Sequence, residues 1–131
     1  LGGNDLLSGA SVYLVNGDST GTSNATGVWS NIESLTGSSG DDTFTFENTA
    51  TLSGLVSGGD GNDLFVINGT TDADLQGQVG NDVFELHNDG TVLTGTLDGD
   101  AFFDTTPSGD SNSFLFFDRA RLVGFINGGV D

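Results

Sequence analysis

Cysteine and methionine are absent from this 131-residue chain, proline occurs once, and the only basic residues besides a single histidine are Arg119 and Arg121, against 19 Asp and Glu. Each shortage excludes something. Without cysteine there is neither a disulfide scaffold nor a thiolate metal site. With two cations and a formal net charge of −17, the chain cannot meet a polyanion, so nucleic acid is excluded as a partner and an anionic membrane surface is a poor one. No apolar run approaches the ~20 residues that span a bilayer, and no membrane insertion is expected. The chain opens without Met or a basic, apolar leader and reads as a mature or excised segment. Alanine, glutamate and lysine are too scarce for long helices or a coiled coil.

What is present is glycine, 22 of them, and ten phenylalanines set in short alternating runs, which a disordered acidic chain would lack. The tripeptide Leu-x-Gly recurs at Leu35–Gly37, Leu52–Gly54, Leu75–Gly77, Leu93–Gly95 and Leu122–Gly124. From four of these the chain runs on to an Asp: Asp42, Asp63 after a four-residue longer turn, Asp82 and Asp100, spaced 21, 19 and 18 residues apart. DTFTF, DLFVI, DVFEL and DAFFD follow, placing Phe44, Phe65, Phe84 and Phe102 at one shared position, and NSFLF repeats the theme at Phe114. Such a unit holds two short strands and two turns, and it buries its Phe and Leu rows only by stacking on its copies. The expectation is an all-β, right-handed parallel β-helix or β-roll solenoid of about six coils at ~20 residues per coil, roughly 30 Å tall at ~4.8 Å per strand. Residues 17–30 and 104–112 interrupt the period and read as polar insertion loops, with Trp29 pinning the first to the column. Asn62 and Asn81 precede the motif Asp, where stacked copies form a side-chain ladder, although Asp41 and Gly99 hold the equivalent places.

Residues Gly58-Gly59-Asp60-Gly61-Asn62-Asp63-Leu64-Phe65-Val66 match the nonapeptide GGxGxDxUx, and on it the chain resembles the RTX (repeats-in-toxin, haemolysin-type) calcium-binding family. The resemblance implies a parallel β-roll, secretion, and Ca²⁺ held between stacked turns by backbone carbonyls and the closing carboxylate. Carried over by position, it makes Asp42, Gly58, Asp60, Asp63, Asp82, Asp98 and Asp100 the candidate metal ligands, with Asp5 a fragmentary addition. The other turns, GSSGDD, GQVGND and GTLDGD, depart from the motif, and each unit has one such turn where the family's roll has two. Independently, oxygen-only acidic loops suit a hard cation, and Asp side chains stacked at ~4.8 Å repel unless a cation or water screens them. The competing reading is that these Asp only cap turns through their own hydrogen bonds.

No catalytic constellation is singled out. Acidic polysaccharide substrates need cations that the chain lacks, His87 stands by itself, and no carboxylate pair is distinguished from the rest. An ice-binding threonine face fits Thr43/Thr45 and Thr94/Thr96 but fails at Leu64/Val66 and Val83/Glu85. Read tail to head, INGGVD and LGGNDLL form one more turn, as in a module of a longer tandem array or filament. The expected function is that of a structural or adhesive module, 1–131, of a large bacterial surface protein, extracellular, calcium-stabilised and stacked end to end on copies of itself. The alternatives are a calcium-independent β-helix of a surface filament and a non-catalytic calcium-binding module of a secreted enzyme. Arg119 and Arg121 are expected to pair with a neighbouring Asp row or with an acidic copy.

Overall fold

The computed structural model describes residues 5–88, 91–100 and 111–128. Thirteen strands and no helix occur among them. Alternating apolar and polar residues with β-branched and aromatic side chains write the strands, and Gly, Asn and Asp write the turns between them.

The strands form two sheets. The first is parallel throughout and has the order β1 (Leu6–Ser8), β5 (Ser34–Thr36), β7 (Leu55–Asp60), β9 (Asp74–Val79), β11 (Val92–Asp100), β13 (Arg121–Asn127). The second is mixed, with the order β12 (Ser113–Phe116), β10 (Val83–Leu86), β8 (Leu64–Ile67), β6 (Thr43–Phe46), β2 (Val12–Gly17), β3 (Thr20–Ser23), β4 (Gly27–Ser30). From β5 to β13 the chain alternates between the sheets, so each strand pairs in parallel with one two places away in sequence.

The all-β expectation holds, but the single right-handed parallel solenoid of about six uniform coils does not. The chain makes two sheets, one parallel and one mixed, and the mixing comes from residues 17–30. That stretch, expected to be an insertion loop, contains β3 and β4. Thr20 and Thr22 alternate with Gly21 and Ser23 along β3, which pairs with β2, and Gly27, at φ 81°, starts β4 back antiparallel onto β3. The other expected loop, 104–112, lies almost wholly outside the described residues.

The core is one cluster fed by both sheets. Tyr13, Phe44, Phe65, Phe84 and Phe114 stack ring on ring, with centroids 4.6–5.0 Å apart and planes within 8° of parallel. Parallel pairing sets that spacing, because identical register places like residues one strand apart. Val15, Phe46, Ile67 and Leu86 make the next inward column, and Leu35, Val56, Leu75 and Leu97 line the other sheet, all fully buried. Each buried Phe or Leu stabilises the fold by roughly 1.5–3 kcal/mol. In the aromatic row Phe114 pairs with Phe84; Phe102, expected at this position, lies outside the described residues.

The two ends differ. At the β4 end Trp29 is 6% exposed and lies across Gly21, whose missing side chain gives the indole its place. At the β12–β13 end Leu115, Phe116, Phe117, Val123, Phe125 and Ile126 are 40–78% exposed.

Candidate metal centre

Three of the expected ligands, Asp42, Asp63 and Asp82, each stand two residues before a row phenylalanine, so parallel register brings them into one column. All three are buried. Oδ1 of Asp63 accepts the backbone N–H of Asp42 at 2.8 Å, and Oδ1 of Asp82 accepts that of Asp63 at 2.9 Å. Asn112 Oδ1 continues the column, accepting the N–H of Asp82 at 2.8 Å. Each side chain thus satisfies a turn amide of the preceding layer that would otherwise be orphaned. At the far end Ser38 supplies the donors, its N–H to Asp42 Oδ2 at 2.7 Å and its hydroxyl to Oδ1 at 2.9 Å.

A second ladder runs beside the first, one residue earlier. Asn62 donates its backbone N–H to Asp41 Oδ1 at 2.8 Å, Asn81 donates to Asn62 Oδ1 at 2.9 Å, and Ser111 donates to Asn81 Oδ1 at 2.7 Å. The side-chain amides of Asn62 and Asn81 reinforce it at 3.3 and 3.0 Å. This is the expected Asn ladder, except that Ser111 rather than Gly99 holds its last place.

The second carboxylate oxygens face a row of glycines. A Cβ on Gly37, Gly58 or Gly77 would overlap Oδ2 of Asp42, Asp63 or Asp82 respectively, and would also crowd the carbonyl oxygen of Gly58, Gly77 or Gly99 from the next layer. One carboxylate oxygen and one carbonyl therefore converge over each of these glycines. At Gly58 the arrangement has a further property. Asp63 Oδ2 is buried and accepts no hydrogen bond, whereas Asp42 Oδ2 takes the Ser38 amide. Burial, with the charges of Asp82, Asp42 and Asp41, outweighs the hydrogen bond from Asp42 and pushes the Asp63 carboxyl up from 3.8 to about 7.

The orphaned carboxylate oxygen and the Gly77 carbonyl are oxygen donors of the kind a hard cation uses, while Gly58 makes room for the carboxylate itself, whose Oδ2 lies where a Cβ would be. Asp63 and Gly77, over Gly58, would hold Ca²⁺ here. No group of three or more His, Cys, Asp or Glu side chains suited to a metal ion occurs among the described residues.

The remaining expected ligands are not brought into the column. Asp60 is exposed at the end of β7, paired with Val79. Asp98 is buried on β11 between Gln76 of β9 and Asn127 of β13. Asp100 pairs through its backbone with Gln78, two positions past the Gln76 that aligns with Asp98. The cause is a register difference. Leu97 aligns with Leu75, making Leu97-Asp98-Gly99 the counterpart of Leu75-Gln76-Gly77, while Leu93-Thr94-Gly95 aligns with Leu122-Val123-Gly124 at the other end of the strands. Gly54 belongs with this second set, closing on the backbone of Glu33 as Gly95 closes on Ala73. Val56-Ser57-Gly58, not Leu52-Ser53-Gly54, is the Asp63 unit's own tripeptide. Asn112 and Ser38 are the functional residues that sequence reasoning missed; the NSFLF run at 112–116, matching DTFTF and DVFEL, is the signal for Asn112.

His87 is engaged structurally, with Nε2 2.9 Å from Glu85 Oε2 and its ring stacked on Phe117 at 4.5 Å.

Compared with protein-family models, with curated proteins and with solved structures, the chain matches none.

Proposed function

We propose that this chain is a structural, non-catalytic module of an extracellular or cell-surface stalk or filament, stabilised by Ca²⁺ at its glycine and aspartate turns and joined end to end to copies of itself. The observation that carries the reading is Asp63 Oδ2, a buried carboxylate oxygen without a hydrogen bond beside a backbone carbonyl. Ionised, it requires a cation; protonated, it does not. At the neutral pH and millimolar calcium of an extracellular medium, a weak oxygen site exchanges its proton for the metal. The acidic composition fits the same setting, because a charge of −17 concentrates divalent cations around the chain.

The stacked aromatic row and the two hydrogen-bonded side-chain ladders support a mechanical role. They distribute many small contacts along one axis instead of gathering reactive groups at a cleft. Calorimetric titration of the metal-stripped protein with CaCl₂, with circular dichroism on the same samples, tests the calcium reading. Heat of binding and a raised Tm, both lost in Asp63→Asn, are expected. No heat and an unmoved Tm would remove calcium and leave the column as a purely hydrogen-bonded device.

A further inference from the structure

Besides the turns that carry the aspartate column, a second row of turns leads from the mixed sheet back to the parallel one. Backbone bridges join its layers at two steps, where Asp18 pairs with Thr51 and Thr71 pairs with Leu93. At the step between these pairs no such bridge forms among the described residues. The Thr71 hydroxyl takes its place, accepting the N–H of Leu52 at 3.4 Å and donating to the Leu52 carbonyl at 3.3 Å. A side chain set between two backbones holds them farther apart than a direct ladder does, and beside it a cavity of about 370 Å³ opens.

That volume lies within the roughly 300–1,000 Å³ of small-molecule sites, and its lining selects the chemistry. The buried Leu52 and Thr71 form the inner wall, and the exposed Asp18 and Asp72 come from the layers on either side of the step. Asp18 is held in place, its Oδ1 accepting the Thr51 hydroxyl at 2.9 Å. Among the described residues no basic side chain lines the cavity, so its two carboxylates repel an anion. An ammonium group gains little, because an ion pair with an exposed aspartate is screened by water. A bare metal ion fills only a small part of the space. What suits it is a neutral ligand rich in O–H donors, since an ionised carboxylate only accepts and its hydrogen bonds from hydroxyls are short and strong. The hydroxyls of Ser53, Thr70 and Thr94 complete the lining, and threonine carries a methyl beside its hydroxyl, as a sugar ring carries C–H beside O–H.

We propose that this cleft binds a neutral pyranose unit of a glycan, and that a module with a structural role thereby also makes a lateral contact with carbohydrate. Asp18 and Asp72 accept from the sugar hydroxyls, the serine and threonine hydroxyls donate or accept as the sugar requires, and Thr71 keeps the step open. One unit is held weakly, in the millimolar range, because the rim is solvated and no aromatic ring lines it. Copies engaging one glycan together multiply that affinity. The inference goes beyond the structural reading and does not depend on calcium at Asp63, which lies on the other row of turns.

The test is an NMR titration of the ¹⁵N-labelled whole chain in chelator, where calcium plays no part. Methyl glucoside, methyl galactoside and methyl mannoside are added to about 50 mM, with glucosamine and glucuronate as the cationic and anionic comparators. Saturable amide shifts centred on residues 51–53 and 70–72 are expected with at least one of the three neutral sugars, and none with glucuronate. Asp72→Asn, at an exposed position, is expected to weaken that response roughly tenfold with an unchanged circular dichroism spectrum. No saturable shift at these residues with any of the three neutral sugars overturns the inference. So does a response to glucosamine alone, which would mean a site for ammonium groups, and so does an affinity left unchanged by Asp72→Asn.

Discussion

The backbone N–H of Asp63 donates to Oδ1 of Asp82 at 2.9 Å, while Asp63's own Oδ1 accepts from Asp42 and its Oδ2 accepts nothing. One residue is thus fully used on two sides and unsatisfied on the third. A proton, a cation or an amide in its place each resolves the third side differently, and the resulting stabilities differ measurably.

With the folded carboxyl at about 7 and the unfolded one near 3.8, the folded chain keeps a proton that the unfolded chain releases anywhere between those values. The stability that Asp63 contributes is therefore fully present below about pH 4, is lost as the pH rises through the window, and is gone above about pH 7. Urea unfolding in chelator at pH 5 and pH 8 should show the fall. Asp63→Asn removes the titration and should flatten the profile between those pH values, leaving the variant the more stable protein at pH 8. Asn112 already occupies the same column as an amide, so the substitution has a precedent within the molecule.

Gly58→Ala puts a Cβ into Asp63 Oδ2 and against the Gly77 carbonyl. Backbone cannot withdraw as a flexible side chain would, and a loss of about 1–3 kcal/mol is expected by chemical denaturation, with any calcium response abolished. Gly40→Ala is the control, since its Cβ meets nothing within 4 Å, and it should change stability by under about 0.5 kcal/mol.

Gln78 carries φ 81° near the end of β9, where its paired residue in the Asp63 unit is Gly59 of β7, at φ 115°. A side chain with a Cβ is strained there. Gln78→Gly should stabilise the protein by about 0.5 kcal/mol, the relief of strain exceeding the entropy given to the unfolded chain. A drop in Tm instead would show that the glutamine side chain contributes more than its backbone costs.

Trp29 is the chain's single tryptophan and is 6% exposed. Its fluorescence should be blue-shifted and slow to quench with acrylamide in the folded state. Trp29→Ala should cost about 3 kcal/mol, because it empties a space that Gly21 cannot fill. Phe65→Ala, in the middle of the aromatic row, should cost about 3–5 kcal/mol, and Thr45→Ala on the outward face of the same sheet under 1.

Much of this was legible from spacing. The D-x-F-x-Φ runs have a period of two and a polar residue just before them, so β6, β8 and β10, their inward phenylalanines and the column Asp42–Asp63–Asp82 could be read without coordinates. The fourth place in the column could not be read the same way. Leu-x-Gly marks both ends of the parallel-sheet strands, and a search for that tripeptide merges two rows into one, carrying the alignment to Asp100 and Phe102 when Asn112 and Phe114 hold the places. The hairpin at β3–β4 escaped for a different reason. β3 is built from Thr, Gly and Ser, and β4 has only Val28 and Trp29 between Gly27 and Ser30, so neither strand has the alternation of the row strands, and their pairing shows only once the edge of β2 is there to receive them.

That hairpin has a consequence for aggregation. Parallel strands in identical register, with like side chains stacked at 4.6–5.0 Å, share the geometry of amyloid, in which every layer templates the next. Here β3 runs against β2, β4 is only four residues long, and the indole of Trp29 covers the last layer. An amyloid fibril adds identical layers to a bare parallel edge, and at this end the antiparallel hairpin takes that edge away.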